Sequence, residues 1–149
     1  MNIDLRMLPT SERKRIEKML HIHHHETEYK VFVYGTLLTG ERNAHWAHGA
    51  RRHPAWTRGT IYDTGFGFPA FVRNGERKIL GEVLTCNEEQ FASMDRLEGY
   101  PRLYRREQIE VYPVGGGRVR AWVYIMNSLP EGAKEIESGS WRMRNRPSS

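Results

Sequence analysis

Short runs of alternating apolar and polar positions, separated by glycine- and proline-rich turns, occupy most of the chain from Val31 onward. Val31–Tyr34 is β-branched and aromatic and reads as a buried strand running directly into the loop Gly35–Gly40. Thr57–Tyr62 reads as a second strand, after which the turn-rich stretch Asp63–Pro69 leads to a third, Ala70–Arg73. Asn74-Gly75 is a two-residue hairpin signal, which makes Lys78–Thr85 the returning strand. Within Tyr104–Tyr112, Ile109 and Val111 point one way and Glu110 the other. Pro113–Gly117 turns the chain, and Arg118–Met126 sets Val119, Ala121, Val123 and Ile125 on one face.

Between these strands the period changes. Phe91, Met94 and Leu97 recur at a spacing of three, the buried stripe of an amphipathic helix. Asn87 is an N-cap residue, Gln90 can complete a capping box, and Glu88 and Glu89 fall in the first turn, where the helix dipole favours acids. Gly99 supplies the left-handed residue that ends the helix, and Pro101 prevents its continuation. Glu98 is thereby held in the last turn, at the negative end of the dipole, and both that position and any burial raise a carboxyl pKa. A raised carboxyl is a candidate general acid or base; an exposed glutamate beside a turn is the plainer reading of the same residue. Six short strands with two or three helices and tight turns predict a small α+β fold with a curled or closed sheet.

Composition narrows the classes. With 149 residues, 11% of them aromatic, the chain is one domain with a real core. Residues 1–29 read as a polar, flexible extension, 30–144 as the folded domain and 145–149 as a disordered tail. Pro9 to Glu12 can open a short helix running to Leu20, with Ile16, Met19 and Leu20 to pack. His21, His23, His24 and His25 lack the spaced partners of a metal site, and a linker is the preferred reading. The net charge of +5 is dispersed in pairs such as Arg51–Arg52 and Arg105–Arg106, with Arg142, Arg144 and Arg146 in the tail. That pattern serves solubility rather than specific nucleic-acid binding. A single cysteine, Cys86, rules out an internal disulfide and suits a reducing compartment. No window reaches the roughly 20 apolar residues of a membrane span and no signal-peptide apolar region is present, so a cytoplasmic location is expected.

Gly35 and Gly40 have the spacing of a phosphate loop, but Glu41 and Arg42 stand where its Lys and Ser/Thr would follow, which argues against nucleotide binding. What remains is a strand entering a tight loop whose backbone N–H groups can face an anion or oxyanion, or an ordinary turn.

Together these stretches resemble the gamma-glutamylcyclotransferase-like family. The similarity lies in Tyr34-Gly35-Thr36-Leu37 with Gly40, Glu41 and Asn43; in Asp63 and Gly65 followed by Pro69-Ala70; and in Gly81-Glu82-Val83. The most telling match is Asp95-Arg96-Leu97-Glu98-Gly99-Tyr100 with Tyr104 and Arg106, where the family pattern is an acid, two variable positions, the catalytic Glu and a Gly. Ser138-Gly139-Ser140-Trp141 is similar to the closing motif, although Asp is commoner where Ser140 stands. The resemblance runs from about Val31 to Arg144. It implies a small mixed β-barrel flanked by short helices, acting on a gamma-glutamyl amine or gamma-glutamyl amino acid and releasing 5-oxoproline. It implies Glu98 as the catalytic acid/base, with Tyr34, Gly35, Thr36, Leu37 and Tyr104 around the substrate and Tyr124 on weaker grounds. No metal, nucleotide, other cofactor or covalent nucleophile is required. The rival reading is a non-catalytic small-molecule-binding or interaction protein on the same barrel, which has no need of a desolvated acid at Glu98. The leaving amine and the oligomeric state are not legible.

Overall fold

The computed structural model describes residues 9–12, 14–15 and 27–145. Residues 10–12 and 14–15 are helical. The expected continuation to Leu20, the histidines His21, His23, His24 and His25, and the tail from Arg146 lie outside the described residues.

Six strands follow: β1 (Tyr29–Val33), β2 (Arg51–Asp63), β3 (Pro69–Cys86), β4 (Tyr104–Pro113), β5 (Val119–Met126) and the short β6 (Lys134–Glu135). One α-helix, α1 (Glu88–Glu98), connects β3 to β4, and 3-10 turns occur at Ala44–Ala47 and Trp141–Met143. Strands β1 to β5 hydrogen-bond in the order β3-β1-β5-β4-β2, and β2 pairs back onto β3, so the sheet closes into a five-stranded barrel. Only β1 and β5 run parallel, with Val31 opposite Trp122; the other pairings are antiparallel, which makes the barrel mixed. Closure satisfies edges that would otherwise stay open. β6 adds to the far end of β2, pairing Tyr62 with Glu135.

The core follows the alternation except in β5, where Val119 is only partly buried and Tyr124, on the other face, is buried too. Ile109 and Val111 are buried and Glu110 is exposed; Ala121, Val123 and Ile125 are buried beside Val31, Phe32, Phe71, Ile79 and Leu84. Each such Val, Ile, Leu or Phe side chain contributes about 1.5–3 kcal/mol on burial. Tight approach matters as much as bulk: a Cβ at Gly81 would lie 2.1 Å from the Val33 carbonyl oxygen and 2.7 Å from the Phe32 ring. Glycine there lets β3 pass directly over the end of β1.

The Asn74-Gly75 hairpin does not form. Ala70–Val72 and Arg77–Thr85 both pair with β2, and the register jumps from Gly59 opposite Arg77 to Thr60 opposite Val72. Residues 73–76 are an extra loop within one continuous 18-residue strand. Thr60 Oγ1 donates to the Asn74 carbonyl at 2.7 Å and Arg58 donates to the Glu76 carbonyl at 2.8 Å, which pins the loop down. The true reversal lies one segment earlier, at 64–68, where Asp63 faces Pro69 and Thr64 Oγ1 donates to the Phe68 carbonyl at 2.7 Å. β2 also begins six residues before the expected start, at Arg51, because β3 continues far enough to pair with all of it.

Candidate active site

Helix α1 forms as its local signals dictate. The Asn87 side chain accepts from the Gln90 N–H and the Gln90 side chain accepts from the Asn87 N–H, both at 2.8 Å, completing the capping box. Gly99 takes a left-handed φ of 63°, and the Tyr100 N–H returns to the Asp95 carbonyl at 2.9 Å. Phe91 and Met94 are buried, Leu97 partly so, and Phe91 packs against the rings of Tyr29, Trp122 and Tyr124. These contacts lay the helix against β1 and β5 and bring Glu98, its last residue, to one end of the barrel.

There Glu98 lines a pocket with the ends of β1, β4 and β5. Its wall comprises Tyr34 to Leu37, Phe68 and Pro69, Tyr104 and Tyr124, and its empty volume, mouth included, is about 350 Å³. Every residue expected around the substrate, Tyr34, Gly35, Thr36, Leu37 and Tyr104, is on this wall with Glu98, and so is Tyr124.

Burial among these rings raises the Glu98 carboxyl from 4.5 to about 7. Burial alone accounts for the shift: a helix end is worth only about 0.3–1 kcal/mol at most exposed sites, less than the desolvation here. Among the described residues Glu98 makes no side-chain hydrogen bond or ion pair, so none of them stabilises its charged form in that way. The tyrosines around it respond in the same sense. Burial first, then Tyr104 and Glu98, raises Tyr34 well above its ordinary range. Burial and then Glu98 raises Tyr104 as well. Tyr124 is raised by burial, then by its hydrogen bond to Asp95. All three are neutral O–H groups at physiological pH. Tyr34 Oη donates to the Tyr124 carbonyl at 2.8 Å, while Tyr104 Oη reaches the Pro69 carbonyl only at 3.4 Å, beyond the range of about 2.5–3.0 Å for a strong O–H···O bond. The Tyr104 hydroxyl is therefore loosely held.

The Gly35–Gly40 loop is tied from several sides. Gly35 packs so closely on Pro69 that a Cβ would lie 2.5 Å from its ring. The Asn43 N–H donates to the Thr36 carbonyl at 2.9 Å and its side-chain amide donates to Thr36 Oγ1 at 3.0 Å. Leu38 N–H closes a turn onto the Gly35 carbonyl at 3.1 Å. The amides of Gly35, Thr36 and Leu37 find no acceptor among the described residues, and all three residues line the pocket.

A pair the motif reading left without a role holds this loop from behind. Glu82 on β3 accepts from the Thr39 N–H at 2.8 Å and the Thr39 hydroxyl at 2.7 Å. Arg52 on β2 donates to Glu82 at 3.0 Å and to the carbonyls of Leu37 at 2.8 Å and Ala44 at 3.2 Å. The available signal was Glu82 itself, a carboxylate set between the apolar residues Ile79, Leu80, Val83 and Leu84. Phe68 also lines the wall, and its place is decided by the hairpin at 64–68. Among the described residues no three His, Cys, Asp or Glu side chains converge as a metal site. No helix among them is long and apolar enough to cross a membrane.

The family profile described as "Gamma-glutamyl cyclotransferase, AIG2-like" matches residues 31–143, a span that contains every wall residue of this pocket. The chain belongs to that family. A Vibrio cholerae relative that carries the provisional name gamma-glutamylcyclotransferase is 34% identical over 120 residues, covering 78% of this chain and 98% of that protein. A Niallia circulans relative named gamma-L-glutamyl-butirosin B gamma-glutamyl cyclotransferase is 31% identical over 105 residues, 65% of this chain and 66% of its own length. Among solved structures, YkqA from Bacillus subtilis superposes with a TM-score of 0.64 at 28% identity. The match covers 80% of this chain but only 41% of YkqA. The barrel is thus the fold of the gamma-glutamylcyclotransferase family, and the chain is a gamma-glutamylcyclotransferase-type protein.

Proposed function

We propose that the protein cyclises a gamma-glutamyl amine or gamma-glutamyl amino acid, releasing 5-oxoproline and a free amine, with Glu98 as the general acid/base. The observation that carries this reading is a carboxyl on the wall of the pocket, raised to about 7 by burial and without a hydrogen-bond or ion-pair partner among the described residues. Such a group accepts a proton near neutral pH and gives it back within the same turnover.

The steps balance as a net transfer of two protons from the attacking to the leaving nitrogen, with Glu98 carrying each in turn. Glu98 takes a proton from the substrate's α-ammonium group. The freed nitrogen attacks the substrate's own γ-carbonyl carbon, forming the ring C–N bond and placing negative charge on the carbonyl oxygen. Glu98 gives its proton to the leaving nitrogen as that C–N bond breaks, then takes the second proton from the ring nitrogen, leaving neutral 5-oxoproline, and passes it to the released amine. Nucleophile and electrophile belong to one molecule, so the pocket's task is to hold the substrate curled. The amides of Gly35, Thr36 and Leu37 suit an anion, either the α-carboxylate or the developing oxyanion. Tyr34 and Tyr104 are neutral donors on the same wall, and the loosely held Tyr104 hydroxyl can turn to the substrate. The name of the Niallia circulans relative supports a gamma-glutamyl group as the reacting part.

The test is 5-oxoproline release from a panel of gamma-glutamyl amines and dipeptides, wild type beside Glu98→Gln. Turnover by wild type that vanishes in a folded Glu98→Gln protein is the expected result. Equal turnover in both proteins would remove Glu98 from the mechanism, and silence from wild type across a broad panel would favour a binding protein on the same barrel.

A further inference from the structure

Glu98 shares its face of α1 with a second acid. Asp95 lies three residues earlier, the spacing that makes helix side chains neighbours. Its Oδ1 accepts the Tyr124 hydroxyl at 2.6 Å, and Tyr124 and Glu98 line the same pocket. Its other oxygen, Oδ2, faces Arg106 NH1 at 3.6 Å. The Arg106 guanidinium is framed by three rings, 4.3 Å from the centre of Phe91, 4.2 Å from Tyr100 and 5.2 Å from Trp122. Its Nε is buried without a hydrogen-bond partner among the described residues. A cation clamped by rings from the helix, from the turn after it and from β5 has little freedom. The carboxylate beside it is held with Oδ1 turned towards Tyr124.

We propose that Asp95 is a positioning residue that, braced by Arg106, occupies the Tyr124 hydroxyl and keeps that hydrogen-bond donor off Glu98. This deepens the proposed function and rests on Glu98 acting as its base. A donor on the charged form of a carboxylate lowers its proton affinity, so a Tyr124 hydroxyl that turned to Glu98 would weaken the base. Asp95 is the competing acceptor and holds the stronger position, in a short, charge-assisted bond. The same bond leaves the Tyr124 ring fixed as pocket wall, with its carbonyl receiving the Tyr34 hydroxyl.

Among the described residues the groups facing Glu98 are few. From its own helix there is Asp95; from the residue after β1, Tyr34; from β4, Tyr104 and, across Asp95, Arg106; from β5, Tyr124. Arg96 points to solvent. The 3-10 turn Ala44–Ala47 meets the opposite half of α1, where Gln90 donates to the His48 carbonyl at 2.9 Å. Of the neutral donors, the Tyr34 hydroxyl is committed to a carbonyl, and the Tyr124 hydroxyl is the one engaged by a carboxylate.

The experiment follows the Glu98 carboxyl by NMR in protein carrying 13C-labelled glutamate, its signal assigned by its loss in Glu98→Gln. No substrate is present. Asp95→Ala is expected to lower the Glu98 midpoint by about 1–2 pH units, the value of a hydrogen bond to a charged group. Adding Tyr124→Phe to Asp95→Ala removes the donor and is expected to restore the midpoint. Asp95→Asn keeps an acceptor for the hydroxyl without the charge and is expected to stay near wild type. A lowered midpoint that persists in the double variant, or that appears equally in Asp95→Asn, would assign the effect to the lost charge and overturn the proposal. Should Asp95→Ala fail to fold, Tyr124→Phe alone decides: an unchanged midpoint supports the proposal, and a raised one means that the hydroxyl already serves Glu98. Because the titration is read without turnover, inactivity towards gamma-glutamyl compounds would overturn the proposed function while leaving this result standing.

Discussion

Replacing Glu98 by glutamine should make the protein more stable at neutral and alkaline pH while removing the proposed base. A carboxyl raised from 4.5 to about 7 by burial costs the folded protein about 3 kcal/mol once it is ionised. Below pH 4.5 the carboxyl is protonated in both the folded and the unfolded chain, and no cost arises. Between 4.5 and 7 the folded state binds more protons than the unfolded state, so this group's contribution to stability falls as pH rises. Above 7 the whole cost is present. Glutamine is neutral throughout and carries none of it. The stability of Glu98→Gln relative to wild type should therefore climb by about 3 kcal/mol between pH 4.5 and pH 8. Urea unfolding followed by tryptophan fluorescence at several pH values checks this directly. With a urea slope of about 1–3 kcal/mol per molar, the midpoint difference should open by about 1–3 M across the window. The other titrating groups are common to both proteins and cancel in the comparison as long as they lie away from the site. A difference that stays flat with pH would refute the claim that burial, and through it the raised pKa, is what the pocket does to Glu98.

Four further expectations follow from particular contacts. In wild type, kcat/KM for 5-oxoproline release should rise with pH through a midpoint near 7, because the base acts in its ionised form; a rate independent of pH between 5 and 8 would contradict that. Gly81→Ala should destabilise the fold by about 3 kcal/mol or more, read from the urea midpoint, since its Cβ would meet backbone at 2.1 Å where β1 and β3 cross. Glu82→Ala leaves Arg52 and two Thr39 donors without their shared acceptor and should cost about 3 kcal/mol. It should also raise KM for a gamma-glutamyl substrate, while an unchanged KM would show that the Gly35–Gly40 loop keeps its shape without the pair. Asn87→Ala removes one half of the capping box and should cost about 1 kcal/mol by the same unfolding assay.

Much of this protein is legible wherever a signal is answered within a few residues. The α1 cap, its stripe of Phe91 and Met94, and its end at Gly99 are local hydrogen-bond and burial arrangements, and they stand where the sequence pattern puts them. The alternation through Ile109, Glu110 and Val111 likewise names its buried face, because the strand period is fixed by backbone geometry. What a strand pairs with is another matter. Asn74-Gly75 carries the chemistry of a hairpin turn, yet β2 is long enough to pair with both flanking segments, so the same two residues close a bulge instead. The parallel contact of β1 with β5, a seam inside the barrel, joins residues about ninety positions apart and leaves no local mark.

The candidate site divides along the same line. The family motifs single out Glu98 and the residues from Tyr34 to Leu37, and Glu98's place at the helix end is readable from Gly99. Its raised proton affinity comes from burial against the ends of three strands, and that enclosure exists only after the barrel has closed. The bond from Tyr124 to Asp95 and the Arg52–Glu82 brace behind the loop are likewise made across distant elements. Sequence determined which groups could do chemistry, because residue type and local backbone are encoded side by side. Tertiary structure decided which of them are desolvated, braced and left unpartnered, because those properties belong to the surroundings of a side chain rather than to the side chain itself.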